Sequence, residues 1–134
     1  MNPIRSALYA KLSSAEIITS QLSSAGAIYH GQAPPTARYP YLLFHKQAGT
    51  KAYAFGAPAF KREIWLVKAV DRNTTSNLAE AISGACDAML DGGSLTVSGK
   101  TLADLRHVGD VDYLEDRGDQ QFRHHGATWR IVLS

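Results

Sequence analysis

Hydrophobic positions along the chain fall into two rhythms, one at every third or fourth residue and one at every second, and the changes of rhythm mark out the elements. Near the N-terminus, Ile4, Leu8 and Leu12 follow at helical spacing behind Pro3, a residue suited to a first helical turn. Ser13 and Glu16 stand three apart in the order of a capping box. They predict a second short helix running through Ile17, Ile18 and Leu22 and ended by Ser23, Ser24 and Gly26. The strongest helical stripe comes later, as Leu78, Ala81, Ile82, Ala85, Cys86, Met89 and Leu90, a span of about four turns. Asn77 and Glu80 offer a cap at its start and Gly92-Gly93 a stop at its end. The small residues Ala81, Gly84 and Ala85 predict that this helix lies close against a sheet.

The period-two stretches supply that sheet. "APPTARYP" is pushed toward extended backbone, because a residue before proline avoids the helical region and proline cannot donate to a central ladder. It reads as a stiff connector along one side of the domain that delivers Tyr41, Leu42, Leu43 and Phe44 into a strand. "FKREIWLVKAV", residues 60–70, is a second strand with Trp65, Val67 and Ala69 on one face and Ile64 and Leu66 on the other. The segment between them, 48–58, is too long for a tight hairpin loop. Its Tyr53 and Phe55 are costly to leave in water, so it reads as an arm hinged by Gly49, Gly56 and Pro58. "SLTVSGKTL" predicts a short hairpin around Ser98-Gly99. "ADLRHVGDVDYL" alternates Leu105, His107, Gly109, Val111 and Tyr113 against Arg106, Val108, Asp110 and Asp112, and a turn is expected over 115–119. "QQFRHHGATWRIVLS" returns with Ala127, Trp129, Ile131 and Leu133 on one face. Together these predict an α+β fold: a mostly antiparallel sheet of about four main strands packed on one long helix, with an N-terminal helical pair. No repeat or linker divides residues 1–134, so a single domain is expected.

Composition narrows the class. With 45% hydrophobic and 19% charged residues the balance is globular, and no apolar run reaches the length of a membrane span. "MNPIRSALYAKLSS" lacks the apolar core of a signal peptide, and one cysteine, Cys86, leaves no intramolecular disulfide. The net charge of +2 conceals a division: residues 1–68 carry eight Lys/Arg against two Glu, and residues 69–134 carry six Lys/Arg against ten Asp/Glu. Lys46, Lys51, Lys61 and Arg62 gather in the first half, and Asp110, Asp112, Glu115, Asp116 and Asp119 in the second. Two faces of opposite sign suit head-to-tail self-association; an ordinary solvated surface is the plainer alternative. A duplex-binding module would show a denser basic stripe than this.

Catalytic chemistry is sparse. His124 and His125 are neighbours on a strand and point to opposite faces, so they cannot chelate one ion together. Cys86 lies on the buried stripe of its helix, where a thiol is inert. Asp110 and Asp112 share a strand face, but with no apolar pocket to raise a pKa they read as solvated acids. No GxxxxGK[ST] phosphate loop is present. The chain therefore reads as no enzyme, needing no cofactor or metal, and points to assembly or binding.

The order of features carries a resemblance. "IRSALYAKL", the lead-in "IYHGQAPPTARYPYLLF", the strand "FKREIWLV", an alanine-rich helix and a closing strand ending in "IVL" resemble the tail completion family of tailed phages, which includes tail terminators and tail-to-head joining proteins. The likeness runs from about Ile4 to Leu133, and its most specific part places Ile28, Tyr29, Pro34, Pro40 and Tyr41 in the extended approach to the first strand. It implies a structural virion protein that forms a ring, a hexamer, on the last ring of the tail tube, ends tube polymerisation and joins the tail to the head connector. The alternative it leaves open is a head-tail connector or stopper of the phage neck. Implied partners are copies of the chain, the tail tube protein and the connector protein, with double-stranded DNA passing through without sequence-specific binding and no membrane contact. The implied location is the tail or neck of the virion, assembled in the bacterial host cytoplasm. The expected subunit or ring interface combines Lys51, Tyr53, Phe55 and Arg62 with Asp110, Asp112, Glu115 and Asp116.

Overall fold

The computed structural model describes residues 2–54, 57–75 and 77–134, with the side chains of 51–59 outside that description. The chain runs α1 (Pro3–Ser14), α2 (Glu16–Thr19), β1 (Ile28–His30), β2 (Tyr41–Ala54), β3 (Ala57–Arg72), α3 (Leu78–Leu90), β4 (Leu102–Arg117) and β5 (Gln120–Leu133). The strands form one sheet in the order β1-β2-β3-β5-β4. Every pairing is antiparallel except β1 with β2, which is parallel. The α+β class is as expected, with two corrections. A fifth strand exists, because "IYH" at 28–30 joins the sheet ahead of the proline connector. The principal helix is short: α3 has 13 residues, about 20 Å, beside strands of 14 to 16 residues that reach about 50 Å.

One face of the sheet meets the helices. Trp65, Val67, Ala69, Trp129, Ala127 and Ile131 are buried there, as their alternation predicted, together with Leu42 and Phe44 from β2. Ile4, Leu8 and Leu12 of α1 and Ala79, Ile82, Cys86 and Leu90 of α3 complete this core. The α3 stripe is rotated from the expected one: Ala81 and Gly84 face outward, and Ala79 and Ser83 take the buried positions. Burial pushes the Cys86 thiol up to about 12, with Asp87 adding to the shift, so it stays protonated.

Capping and turn residues form only some of the expected bonds. Asn2 caps α1, its Oδ1 accepting from the Ile4 amide at 2.8 Å. The expected Ser13–Glu16 capping box does not form: Ala15 occupies the cap of α2 without a side-chain bond, the Ser13 hydroxyl donates back to the Ala10 carbonyl, and Leu22 lies beyond the helix although it is buried. Asn77 adopts the left-handed conformation at φ 50; its carbonyl accepts from the Ala81 amide, but its side chain makes no cap bond to α3. Gly92 does break the helix in the left-handed region, and its amide donates to the Leu105 carbonyl. The segment 94–102 has the expected turn, closed from Lys100 to Val97, but its flanks form no hairpin ladder; Leu95 and Val97 pack into the core instead.

The long loop expected between β2 and β3 is a correction as well. Both strands continue, Lys51 opposite Lys61 and Ala54 opposite Ala57, so 48–54 pairs with the start of β3 as a hairpin, with 55–56 outside the described residues. β5 stops at Leu133 opposite Lys61, which leaves the last part of this hairpin extending past the sheet as an arm. The turn expected over 115–119 is tighter than predicted, with pairing through Arg117 and Gln120 around Gly118-Asp119. Bulges at Gln47 in β2 and Val108 in β4 reset the alternation, so Val108 is exposed and the later pattern of β4 is displaced by one.

Candidate interaction surfaces

The basic group lies along the β2–β3 hairpin. Lys46 and Lys61 are not free: both reach Glu63 Oε2, at 3.7 and 3.0 Å. Glu63 is fully buried and also accepts from Trp65 Nε1 at 2.9 Å and Asn2 Nδ2 at 3.1 Å. Burial by itself would raise its pKa, but the bonds from Lys61, Trp65 and Asn2 outweigh that and hold it below the ordinary value. Asn2 thus ties the cap of α1 to the centre of β3. Arg62 is exposed and makes no ion pair among the described residues. Phe60, next along the arm, is 47% exposed. Of the expected interface set, Lys51 and Tyr53 are placed by backbone register only, opposite Lys61 and Pro58, and Phe55 lies outside the described residues.

The acidic group lies on the opposite edge. β4 is the outermost strand, and its turn into β5 sits at the end of the sheet away from the β2–β3 tip, since Phe122 pairs with Arg72 and Leu133 with Lys61. The two groups therefore occupy diagonal corners and do not meet within one chain. The acids have local partners: Asp110 lies 2.8 Å from His107, Asp112 3.2 Å from Arg123, Glu115 3.1 Å from Arg117, and Asp116 accepts from Gln121 at 2.9 Å. Asp110 remains 74% exposed, so its pair is weak, as solvated pairs are.

A third feature escaped the sequence reading. On the face of the sheet away from α3, the connector carrying Pro34, Pro35 and Tyr39 roofs a cleft of about 580 Å³. Lys68 donates to the Tyr113 hydroxyl at 2.8 Å, the Tyr113 ring stacks on His124 at 4.4 Å, and His124 Nε2 contacts Glu115 Oε1 at 2.8 Å. Arg117 donates to the Tyr39 hydroxyl at 3.2 Å and so pins the connector to β4. Burial lowers the His124 pKa against the opposing pull of Glu115. Glu115 is held below the ordinary range by Arg117 first and then by His124. A neutral His124 donating from Nε2 fits this, because its buried Nδ1 has no partner among the described residues to accept a second proton. The one signal in the sequence was Lys68, a lone cation inside the apolar run "IWLVKAV". Among the described residues no group of three His, Cys, Asp or Glu is placed to hold a metal ion, and His124 and His125 occupy successive register positions opposite Val70 and Ala69.

What these surfaces can do chemically is bind: an extended arm, a strand edge of opposite sign and a roofed polar cleft offer contacts. Among solved structures, the chain is similar to one from "Virion of native gene transfer agent (GTA) particle", at 14% identity and a TM-score of 0.79, covering 98% of this chain and 95% of that one. A second solved chain matches at 17% identity and a TM-score of 0.65, covering 98% and 94%. At such identities these likenesses establish the shared fold. No curated protein sequence matches the chain. The family profile described as "Tail completion protein gp17" matches residues 6–134, almost the whole chain. The chain belongs to this tail completion family of structural phage tail proteins.

Proposed function

We propose that residues 1–134 act as one unit that closes into a ring, a hexamer, at the head-proximal end of a tail tube. There the ring ends tube polymerisation and joins the tail to the head connector. The observation that carries this reading is the diagonal placement of unlike surfaces, a basic arm at one corner of the sheet and an acidic edge at the other. A closed ring needs a heterologous contact between two different patches, which such a subunit offers and a self-complementary patch does not. Membership of the tail completion family and the fold shared with a chain of a gene transfer agent virion support a place in a virion. Its partners are then its own copies, the tube protein and the connector protein, with double-stranded DNA passing through the ring unread, and assembly takes place in the bacterial host cytoplasm. Lys51, Tyr53, Phe55 and Arg62 of one copy would meet Asp110, Asp112, Glu115 and Asp116 of the next.

Two measurements test this. Sedimentation or native mass measurement should give a closed multiple of the 14.5 kDa chain. Imaging of particles carrying a labelled chain should place the label at the tube's head-proximal end, and particles lacking the chain should have unjoined tails. A label on the head side of a normally terminated tail would support the stopper reading instead. A single-chain mass with no label on the tail would overturn both.

A further inference from the structure

The sheet has two open edges, and they differ in sign. On one side β1 covers only Leu42, Leu43 and Phe44 of β2. Gly31, at φ 78, then turns the chain away from the edge, after its amide has bonded to the Phe44 carbonyl. From His45 to the end of β2, the outer side of the strand has no partner strand among the described residues. On the other side β4 has no strand neighbour but β5; Gly92 and Asp91 bond the outer side at Leu105 and His107, and from Gly109 to Arg117 it has no partner strand among the described residues. The free part of β2, "HKQAGTKAYA", contains two lysines and no acid. β4 contains five acids, Asp104, Asp110, Asp112, Glu115 and Asp116, against Arg106 and Arg117.

We infer that copies of this chain join by strand addition, the free β2 edge of one copy pairing with the β4 edge of the next to continue one sheet from subunit to subunit. This rests on the ring reading above. Charge selects the pairing: two β4 edges would repel each other, as would two β2 edges, while β2 against β4 attracts. Strand direction agrees. Within a copy β2 is antiparallel to β3, β3 to β5 and β5 to β4, so β2 and β4 run in opposite senses. Rotation about a ring axis preserves that sense along the axis, and the two edges meet antiparallel. Bulges divide each edge, but uninterrupted register remains over 48–52 in β2 and 109–117 in β4. The shorter of these runs is about the length of an ordinary strand.

Cysteine pairing tests the inference, because a continued sheet keeps its faces. Thr50 stands opposite Arg62, on the face that also holds Arg106, Gly109 and Val111; His107, Asp110 and Asp112 lie on the other. The native Cys86 is buried and does not interfere. Thr50→Cys is combined in turn with Arg106→Cys, Gly109→Cys or Val111→Cys, and with His107→Cys, Asp110→Cys or Asp112→Cys. Mild oxidation of the assembled protein should give a reductant-sensitive covalent ladder in denaturing gels for at least one of the first three and for none of the second three. Equal crosslinking of both sets, or none while the assembled mass persists, overturns strand addition and leaves the ring reading standing. A wild-type chain that stays single at every concentration, with no ladder, overturns both. Amide exchange of the unmodified chain is an independent readout: protection should rise at 48–52 and 109–117 on assembly, and unchanged exchange there also overturns the inference.

Discussion

Glu63 occupies the centre of β3 with its side chain sealed from water, and its four partners come from the N-cap of α1, β2 and β3. Replacing it by alanine would leave Trp65 Nε1 buried without an acceptor, so Glu63→Ala should cost about 1–3 kcal/mol in denaturant titration. Its pKa is depressed below the ordinary 4.5, so the folded state binds fewer protons than the unfolded state just below that value. The stability Glu63 contributes is therefore complete above pH 4.5 and lost as pH falls through the folded value. Glu63→Gln should flatten that acid limb. His124 acts in the same direction at milder pH. Its folded pKa lies below 6.5, so its contribution is present above 6.5 and disappears as acid is added through the folded value. The unfolding midpoint should drop between about pH 7 and about pH 5.5 in the native protein and drop less in His124→Gln. Gly126 is constrained by space: a Cβ there would collide with the Val67 carbonyl and the Lys68 backbone. Gly126→Ala should destabilise by about 1–3 kcal/mol or more in the same titration, as overpacking does.

At the scale of elements, α3 is held by packing and not by a side-chain cap, since the Asn77 side chain bonds to Arg123 and not to the first turn. Ile82 is fully buried at the middle of its inward face. Ile82→Ala should then cost about 2–5 kcal/mol by chemical denaturation, whereas Ala81, one residue earlier and exposed, should tolerate serine within about 0.5 kcal/mol. The β2–β3 hairpin follows a different logic. Its base is braced by β5, and beyond Lys61 its two strands pair with each other and with no other strand among the described residues.

At the scale of the whole molecule, the charge division becomes a geometric one between opposite corners. Single exposed pairs are worth at most about 1 kcal/mol, so one reversal should weaken assembly only slightly. Lys51→Glu with Arg62→Glu should impair it measurably by sedimentation. Compensation is best placed at Asp110 and Asp116, because Asp112 and Glu115 already hold Arg123, Arg117 and His124 within their own chain. Adding Asp110→Lys and Asp116→Lys should restore part of the assembled fraction. A fourfold variant no better than the double one would show that these acids do not meet those bases across subunits.

The α+β class, the buried faces around Trp65 and Trp129 and the stop at Gly92 were legible in the sequence, because period-two and period-3.6 patterns record which side of an element meets the core. The charge division was legible for a simpler reason, being a count. Local hydrogen bonding was not: Ser13 with Glu16 and Asn77 with Glu80 have the composition of caps, yet neighbouring backbone geometry decided their bonds. β1 was hidden because three residues carry no measurable period, and they become a strand only by lying beside β2. The Asn2–Glu63 and Lys68–Tyr113 contacts join residues dozens of positions apart, and His124 reaches Glu115 across a turn. Their contacts depend on sheet order and register, and the bulges that reset that register, such as those at Gln47 and Val108, leave no mark in the hydrophobic pattern.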